Sequence, residues 1–351
     1  MVNNLDRFKR EPRRIYALSD NDLNSLSLSA SGGAFALIAR EVLKQGGVVF
    51  GSAMETNGYV RHVKITSCSD LPKIQGSNYT KSSLGRTFKE CFDIVSQGRL
   101  VLFSGTPCQI YALAHYFEKK GQDYCKDNLL TCDLVCHGVT DQRLFRSYIK
   151  WLEEQKRAIP GTLHFQFRAK DQGWGLNYKY SFRDKSGKVK EVFGPAWSDR
   201  YYKAYLDGFL FEDRCYSCSF ATKGRLGDFT LGDYWGIEQQ HPEFPSEKGA
   251  SLVFLNSERA EAFFDNYMKD QCLYMASTFE KASRENSNLI RPSCLSEEFI
   301  AIRAKIDKCV KTKNYYVIFS ELLRERGIKA FIKQVLPQQA LNFLVFKGKK
   351  K

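Results

Sequence analysis

Several common features are missing from this chain of 351 residues. No apolar run approaches the roughly 20 residues that a membrane-spanning helix needs. The N-terminal segment 1–14 is polar and lacks the apolar stretch of a secretory signal, so we expect a cytoplasmic protein. Neither the G-x-G-x-x-G fingerprint nor the P-loop pattern occurs. The four-cysteine run of bacterial ferredoxins is also absent, which excludes a ferredoxin module of that kind.

Charge is distributed unevenly along the chain. The net charge is +14, yet the segment 301–351 alone holds thirteen Lys and Arg against three Asp and Glu. Because the remainder is close to neutral, we expect no specific nucleic-acid partner. The tail joins an apolar stretch, 331–346, to terminal lysines. Two interpretations stay open: peripheral contact with the anionic cytoplasmic face of a membrane, or a helix packed on the body with a solvated basic end.

The order of the predicted elements indicates an α/β fold. Alternating segments carry the signal: predicted strands are 48–54, 100–103 and 129–135, and predicted helices are 34–44, 109–119 and 141–155. This alternation predicts a mostly parallel or mixed sheet with flanking helices. Short β runs between 164 and 193 predict an antiparallel insertion. The α/β pattern then returns, and the chain ends in a predicted helical tail.

Eleven cysteines are many for a chain expected in a reducing compartment, where special spacings more often indicate metal or redox sites than disulfides. Cys215 and Cys218 form a C-x-x-C pair with three open interpretations: ligands of a zinc or iron–sulfur site, a dithiol redox pair, or chance. Cys108 and Cys136 follow predicted strands directly. Binding sites in open α/β sheets lie beyond the carboxyl ends of the strands, where these two thiols are expected. They are therefore the best candidates for additional ligands.

Two loops of small residues are candidate binding segments. Ser31-Gly-Gly33 precedes a predicted helix and either holds a phosphate through backbone N–H groups or serves as a plain helix cap. The second loop, G-S-N-Y at 76–79, offers small polar donors, and its Tyr79 is placed to stack on a flat ring. Exposed loop tyrosines commonly have no such role, so both interpretations remain.

Charged and aromatic residues form two further candidates. Arg168, Lys170 and Trp174 lie close together in the sequence and predict a cation–aromatic wall for an anionic, planar ligand; the alternative is solvated charges at a strand end. His137 adjoins Cys136. It either moves a proton beside a redox centre or is a hydrogen-bonded structural histidine.

Taken together, these segments resemble the beta-subunit family of coenzyme F420 hydrogenases and dehydrogenases. The matching segments are S-A-S-G-G (29–33), G-G-V-V-F-G (46–51), G-S-N-Y (76–79), V-L-F-S-G-T-P-C-Q (101–109), D-L-V-C-H-G-V (133–139), F-R-A-K-D-Q-G-W (167–174), C-Y-S-C-S-F (215–220), G-D-F-T-L-G-D-Y-W-G (227–236) and K-G-A-S-L-V (248–253). The resemblance covers about residues 15 to 260.

The resemblance implies an iron–sulfur flavoprotein that passes electrons between a two-electron carrier and one-electron centres. It implies a 4Fe–4S cluster and FAD, with coenzyme F420 as a candidate substrate. The implied cluster ligands are Cys108, Cys136, Cys215 and Cys218. The implied cofactor contacts are Ser31, Gly32, Gly33, Gly76, Ser77 and Tyr79, to which the wall formed by Arg168 and Trp174 is added, and His137 is the candidate catalytic residue.

Two departures from the family pattern bear on partners and cofactors. Many relatives begin with a two-cluster ferredoxin module that this sequence lacks, so we expect a separate ferredoxin or redox subunit as partner. Asn78 stands where family loops usually have Lys, and the loss of that positive charge weakens the expected binding of FAD or a deazaflavin. Related bacterial proteins resemble members of surface-polysaccharide gene clusters, and such a pathway is a further expectation.

We expect four segments along the chain. They are a lead-in over 1–28, an α/β half that binds FAD over 29–160, a half with the β insertion and the C-x-x-C pair over 161–270, and a basic helical tail over 271–351. Two other functions remain under consideration: a zinc-stabilised interaction protein with four cysteine ligands, and a dithiol reductase that uses Cys215 and Cys218.

Overall fold

A computed structural model describes residues 5–124 and 126–323. The last part of the basic tail, residues 324–351 with the apolar stretch 331–346 and the terminal lysines, lies outside these residues, so the prediction of membrane contact stays a prediction. Among the helices of the described ranges, none combines the length and the apolar character that crossing a bilayer requires.

Strands of the described residues form two sheets. They are β1 (Arg14–Asp20), β2 (Val48–Met54), β3 (Val60–Ile65), β4 (Val101–Gly105), β5 (Leu129–Leu134), β6 (His164–Phe167), β7 (Asn177–Arg183), β8 (Val189–Pro195), β9 (Phe229–Asp233), β10 (Ser251–Leu255) and β11 (Cys272–Ala276). The larger sheet has the order β11-β1-β10-β9-β5-β4-β2-β3, and the smaller one the order β6-β7-β8.

The larger sheet is mixed. Strands β2, β4, β5 and β9 run parallel to one another in its middle. The pairs on either side are antiparallel: β3 pairs with β2, while β10, β1 and β11 continue the sheet beyond β9. The sequence therefore predicted the fold class correctly, including the antiparallel insertion, which is the β6–β8 sheet.

Helices cover both faces of the larger sheet and pack against the smaller sheet. In the described ranges they are α1 (Leu23–Leu28), α2 (Ala34–Lys44), α3 (Thr87–Ser96), α4 (Pro107–Lys119), α5 (Gln142–Lys156), α6 (Arg200–Leu206), α7 (Ile237–Gln240), α8 (Glu258–Phe263), α9 (Phe279–Ser283), α10 (Glu297–Lys311) and α11 (Tyr315–Val317). Buried side chains of α2 and α8 pack on one face, and those of α3 and α4 pack on the other.

Alternating side chains explain why each layer forms. In β4, Leu102 lies in the core on the α2 face, whereas Val101 and Phe103 lie in the core on the α4 face. Strands that are buried on both faces favour continuous apolar sequence, as β4 has. The smaller sheet places Phe165, Phe167 and other inward-facing aromatics against α5 and α6, which makes a separate aromatic core.

A buried carboxyl in that aromatic core predicts a pH-dependent stability. Asp199 caps α6 by accepting a hydrogen bond from the Tyr202 N–H at 2.8 Å, and it also accepts one from the Tyr148 hydroxyl. Burial raises the pKa of Asp199 to about 6, although Tyr148 acts in the opposite direction. Because the folded pKa exceeds the unfolded one, we expect the free energy of unfolding to decrease as the pH rises from about 4 to 6, by about 2–3 kcal/mol.

Urea unfolding at several pH values would measure this dependence. Asp199→Asn keeps a capping oxygen and should flatten the profile between pH 4 and 7. The matched control is Asp127→Asn at an exposed site, which should leave the profile unchanged. Identical profiles for the wild type and the Asp199 variant would show that this carboxyl does not titrate in the window.

Candidate functional site

The candidate cysteines lie at the carboxyl edge of the parallel strands. Cys108 follows β4 across the turn Thr106-Pro107, and Cys136 lies two residues beyond the end of β5. The next strand, β9, ends at Asp233 on the same edge because β5 and β9 are parallel. Three neighbouring strands thus deliver chemically active residues to one side of the sheet, where loops can form a site without breaking ladder hydrogen bonds.

Cys108 occupies the first turn of α4. Thr106 is the N-cap and Pro107 the first helical residue, a combination that starts a helix sharply. The Thr106 Oγ1 and Cys108 Sγ atoms are 3.1 Å apart. Cys108 is exposed, while Cys136, Cys215 and Cys218 are partly buried. A thiolate or an anionic group at this position is stabilised by the helix N-terminus.

Two paired loops surround the other sulfur atoms. Residue 140 pairs with residue 211 in an antiparallel bridge, and the Glu212 N–H donates to the Val139 carbonyl at 2.8 Å. This pairing brings the Cys136 loop beside the Cys215 turn. The backbone of Gly138 lowers the pKa of Cys136, and the backbone of Val139 lowers that of Cys215, each acting against burial. Nearby N–H groups favour sulfur that carries negative charge.

The four predicted thiols share one neighbourhood. Burial raises the pKa of Cys136 to about 12, and the negative charges that Cys108, Cys215 and Cys218 would carry contribute. Burial likewise raises the pKa of Cys215, with contributions from Cys108 and Cys218. Electrostatic coupling of this kind requires proximity. Within residues 5–124 and 126–323, however, no three His, Cys, Asp or Glu side chains are arranged to hold a metal ion.

His137 directly follows Cys136 in the loop after β5, and its side chain is exposed. Its side chain keeps exposed surface although protein surrounds it on most sides, and this desolvation lowers the pKa of the imidazole. Asp233 raises that pKa and Arg168 lowers it. The backbone carbonyl of His137 accepts a hydrogen bond from the Ser293 hydroxyl at 2.6 Å, which anchors the loop. The role of the ring stays a prediction.

Arg168 is buried and all of its N–H groups have protein partners. Its two terminal nitrogens form a bidentate pair with Asp233 at 2.5 and 2.6 Å. The other contacts are the carbonyls of Gly175 and Ala30 and the Tyr79 hydroxyl, at 2.9, 3.1 and 3.3 Å. The residue adopts a left-handed φ of 59°, which is rare for a side chain of this size. Arg168 therefore ties four loops together, and a direct contact with a ligand stays a prediction.

A pair of stacked tryptophans adjoins this arginine. The Trp174 and Trp235 rings lie 5.3 Å apart with an interplanar angle of 6°, and the guanidinium of Arg168 lies 4.9 Å from the Trp235 ring. Trp235 therefore stacks on Trp174 of the predicted wall, whose contact with a ligand stays a prediction. Sequence analysis missed Trp235, and the signal that could have found it is its position two residues after the end of β9.

Lys170 joins two loops through its ammonium group. The Nζ atom donates to the carbonyls of Leu26, Ser31 and Lys248 at 2.9, 2.5 and 2.7 Å. Lys170 thus fastens the loop before α2 to the loop before β10, and its three N–H donors all have protein acceptors.

The Ser31-Gly-Gly33 loop fits tightly between strands. A Cβ atom at Gly32 would lie 2.0 Å from the Leu18 carbonyl oxygen and 2.4 Å from the Ser251 nitrogen, so only glycine fits there. Gly33 has a φ of +82° and is the N-cap of α2. The Ser31 hydroxyl donates to the Ala250 carbonyl at 2.6 Å. These contacts explain the loop sequence by packing, while its predicted flavin contacts are untested.

The second loop divides into an open and a packed part. Gly76 is exposed, and a Cβ atom added to it would meet no heavy atom within 4 Å. The Asn78 amide donates to the Ser52 carbonyl and hydroxyl at 3.2 and 3.0 Å. Tyr79 stacks on Tyr205 with ring centroids 4.6 Å apart. One face of Tyr79 is therefore covered by protein, and Ser77 and Gly76 form the more accessible part of the loop.

The family is shown by comparison with known proteins. The family model for the C terminus of the beta subunit of coenzyme F420 hydrogenase/dehydrogenase matches residues 98–281, more than half of the chain. The chain belongs to this family. The match contains the four candidate cysteines, His137, Arg168 and Trp174, whereas the loops at 29–33 and 76–79 precede it. The beta-subunit family is one of redox proteins, as the sequence predicted.

A solved structure agrees at the level of the fold. The F420-reducing NiFe hydrogenase complex from Methanosarcina barkeri contains a chain with 17% identity and a TM-score of 0.51 to this beta-subunit family member. The alignment covers 89% of this chain and 94% of that chain. Comparison with curated proteins gave no significant match.

Proposed function

We propose that the protein is an oxidoreductase that holds a 4Fe–4S cluster through Cys108, Cys136, Cys215 and Cys218, beside a bound FAD. The observation that carries this proposal is the convergence of four thiols from three separate loops at one sheet edge. Backbone N–H groups near two of the sulfur atoms add support, since hydrogen bonds to sulfur tune the reduction potentials of iron–sulfur clusters.

The resemblance to an iron–sulfur family favours a cluster over zinc. A zinc ion needs all four sulfur atoms about 2.3 Å from one centre. No set of three or more ligands with an arrangement suited to a metal ion occurs among residues 5–124 and 126–323. A cluster of four iron atoms binds one thiolate per iron and separates the thiolates more widely. A group of that size does not require the four thiols to surround a single point.

A dithiol reductase is less well supported. Attacking thiols of that class have a lowered pKa, which keeps them reactive near neutral pH. Burial instead raises the pKa of Cys215, and the other thiols add to the effect. A thiol with a raised pKa such as that of Cys215 is a poor nucleophile near neutral pH, whereas iron would compensate the charge of all four thiolates.

We place the flavin beside the loops 29–33 and 76–79 and the Trp174–Trp235 pair. Bound FAD would supply the exchange between two-electron and one-electron transfer. The protein contributes a fixed frame: Arg168 and Lys170 hold the bordering loops, and His137 offers a neutral imidazole near the cluster ligands. Residues 29–160 would then be the flavin half, and residues 161–270 would carry the C-x-x-C pair.

Partners and substrate follow from the same proposal. The matching solved chain is part of a hydrogenase complex, which supports a separate ferredoxin or redox subunit as the electron partner of this protein. Coenzyme F420 is the candidate two-electron carrier. The cytoplasmic location and a role in surface-polysaccharide synthesis remain expectations drawn from the sequence.

Metal analysis after anaerobic reconstitution tests the proposal. We expect about four iron and four sulfide per chain, with broad visible absorption and released FAD. Single variants Cys108→Ser, Cys136→Ser, Cys215→Ser and Cys218→Ser should each lose most of the iron, because each removes one of four ligands. The matched control is Cys68→Ser, at an exposed cysteine outside the site, which should keep full iron content.

Three results would contradict the proposal. A colourless protein with about one zinc per chain would indicate the structural alternative. Iron content that is unchanged by Cys108→Ser or Cys136→Ser would remove those thiols from the ligand set. Iron without flavin would leave the cluster standing and refute the flavin site.

A further inference from the structure

A buried histidine outside the family match lies close to the turn that carries Cys108. His62 is in strand β3, at the edge of the larger sheet, and is 5% exposed. Its ring is parallel to that of Phe103 in β4, with centroids 5.5 Å apart and an interplanar angle of 10°. The ring therefore occupies a fixed position directly beside the end of β4.

The partners of His62 determine which ring nitrogen carries the proton. The Nε2 atom lies 2.9 Å from the carbonyl oxygen of Ser104, and a carbonyl can only accept. Nε2 is therefore the donor. Burial lowers the pKa of His62, so the ring is neutral and Nδ1 is an acceptor. The Ser82 hydroxyl, 2.8 Å away, must donate to Nδ1.

The same logic continues to the turn before Cys108. Because the Ser82 hydroxyl donates its proton to Nδ1 of His62, its oxygen is free to accept a hydrogen bond from the Gln109 amide nitrogen at 3.0 Å. The Gln109 amide oxygen is then directed toward the Thr106 N–H and accepts from it at 3.0 Å. Each donor in this chain of hydrogen bonds has one acceptor, and no member can rotate without breaking a bond.

We propose that His62 is a positioning residue for the Cys108 thiol, acting through Ser82, Gln109 and Thr106. The chain of bonds fixes Thr106 from its N–H side, while the hydroxyl of the same residue contacts the Cys108 sulfur at 3.1 Å. His62 also bonds Ser104 on the other side of the turn. The turn is thereby held at both ends, and the exposed thiol keeps one position in the absence of any ligand.

The purpose of holding Cys108 in place rests on the proposed function. The test does not, because it measures the reactivity of Cys108 without a cluster. The mass-spectrometric rate of Cys108 alkylation by iodoacetamide is measured in the reduced, cluster-free full chain. His62→Phe keeps the ring on Phe103 and removes both nitrogens, and Ser82→Ala breaks the chain one step later. We expect alkylation of Cys108 to become about fivefold faster in both variants, as the loss of one hydrogen bond implies.

Conservative rescue and an internal control separate positioning from general loosening. His62→Gln can donate to Ser104 and accept from Ser82 through one amide, so the rate should return close to that of the wild type. The exposed Cys68 of the same chains should react at an unchanged rate in every variant. Equal acceleration at Cys68 and Cys108, or no acceleration in Ser82→Ala, would overturn the proposal. If the proposed cluster is wrong, the wild type itself will lack iron after reconstitution, a result that does not depend on the alkylation rates.

Discussion

Asp228→Ala is expected to reduce the free energy of unfolding by about 3–5 kcal/mol, as breaking a buried ion pair does. The Asp228 carboxylate is fully buried and accepts from Arg259 at 2.6 and 2.9 Å and from Arg10 at 2.8 Å. It also accepts from the N–H and hydroxyl of Thr131 and from the Ser257 hydroxyl. Alanine would leave two guanidinium groups without their buried anion.

Chemical denaturation of the variant and its controls measures this effect. Asp228→Asn keeps the shape and one accepting oxygen and should lose less. Glu258→Ala removes an exposed partner of Arg13 and should change stability by about 0.5 kcal/mol or less.

Burial alone would raise the pKa of Asp228, but Arg259 and Arg10 lower it below its ordinary value. The stabilisation is therefore present above the unfolded pKa and lost as the pH falls through the folded one. A loss below 1 kcal/mol for Asp228→Ala would contradict this account.

The predictable part of the fold is the part with local periodicity. Helix α2 and strand β2 begin and end at the residues that apolar spacing and the glycines between them predicted. Strand β1 was missed because it is a short segment inside a polar N-terminal region, within the predicted lead-in 1–28. It becomes a strand by pairing on both sides, with β10 and β11. Those partners lie more than 230 residues away, and no local pattern contains them.

The candidate site also has a part that local sequence patterns predict and a part that depends on distant residues. Predicted strand ends located Cys108 and Cys136, and the family resemblance added Cys215 and Cys218; the structure brings the four thiols into one neighbourhood. The sequence did not predict what holds them. Asp228 and Asp233 bind arginines from distant segments, which no local pattern contains. His62 gave no signal, because a single histidine in an edge strand acquires its role only through Ser82 and Gln109.

Arg168→Met is expected to have a comparably large effect, a loss of about 3–5 kcal/mol. The Arg168 side chain is 1% exposed and the Asp233 carboxylate is largely buried. Methionine fills similar space but leaves Asp233 without its bidentate partner and removes the donors to Ala30 and Gly175. Arg168→Lys keeps the charge without the planar fork and should recover only part of the loss. Arg183→Met, on an exposed hairpin, is the matched control.

A double variant distinguishes a structural ion pair from a ligand contact. If Arg168 acts on the loops through Asp233, then Arg168→Met/Asp233→Asn should be more stable than Arg168→Met alone, because the unpaired buried charge is gone. Flavin retention should fall in both variants, since the loop at 29–33 has lost its anchor at Ala30. If stability in all these variants equals that of the wild type while flavin is lost, Arg168 contacts the cofactor directly. That outcome would restore the role that the sequence assigned to it, and the guanidinium would then have to exchange a protein acceptor for the ligand.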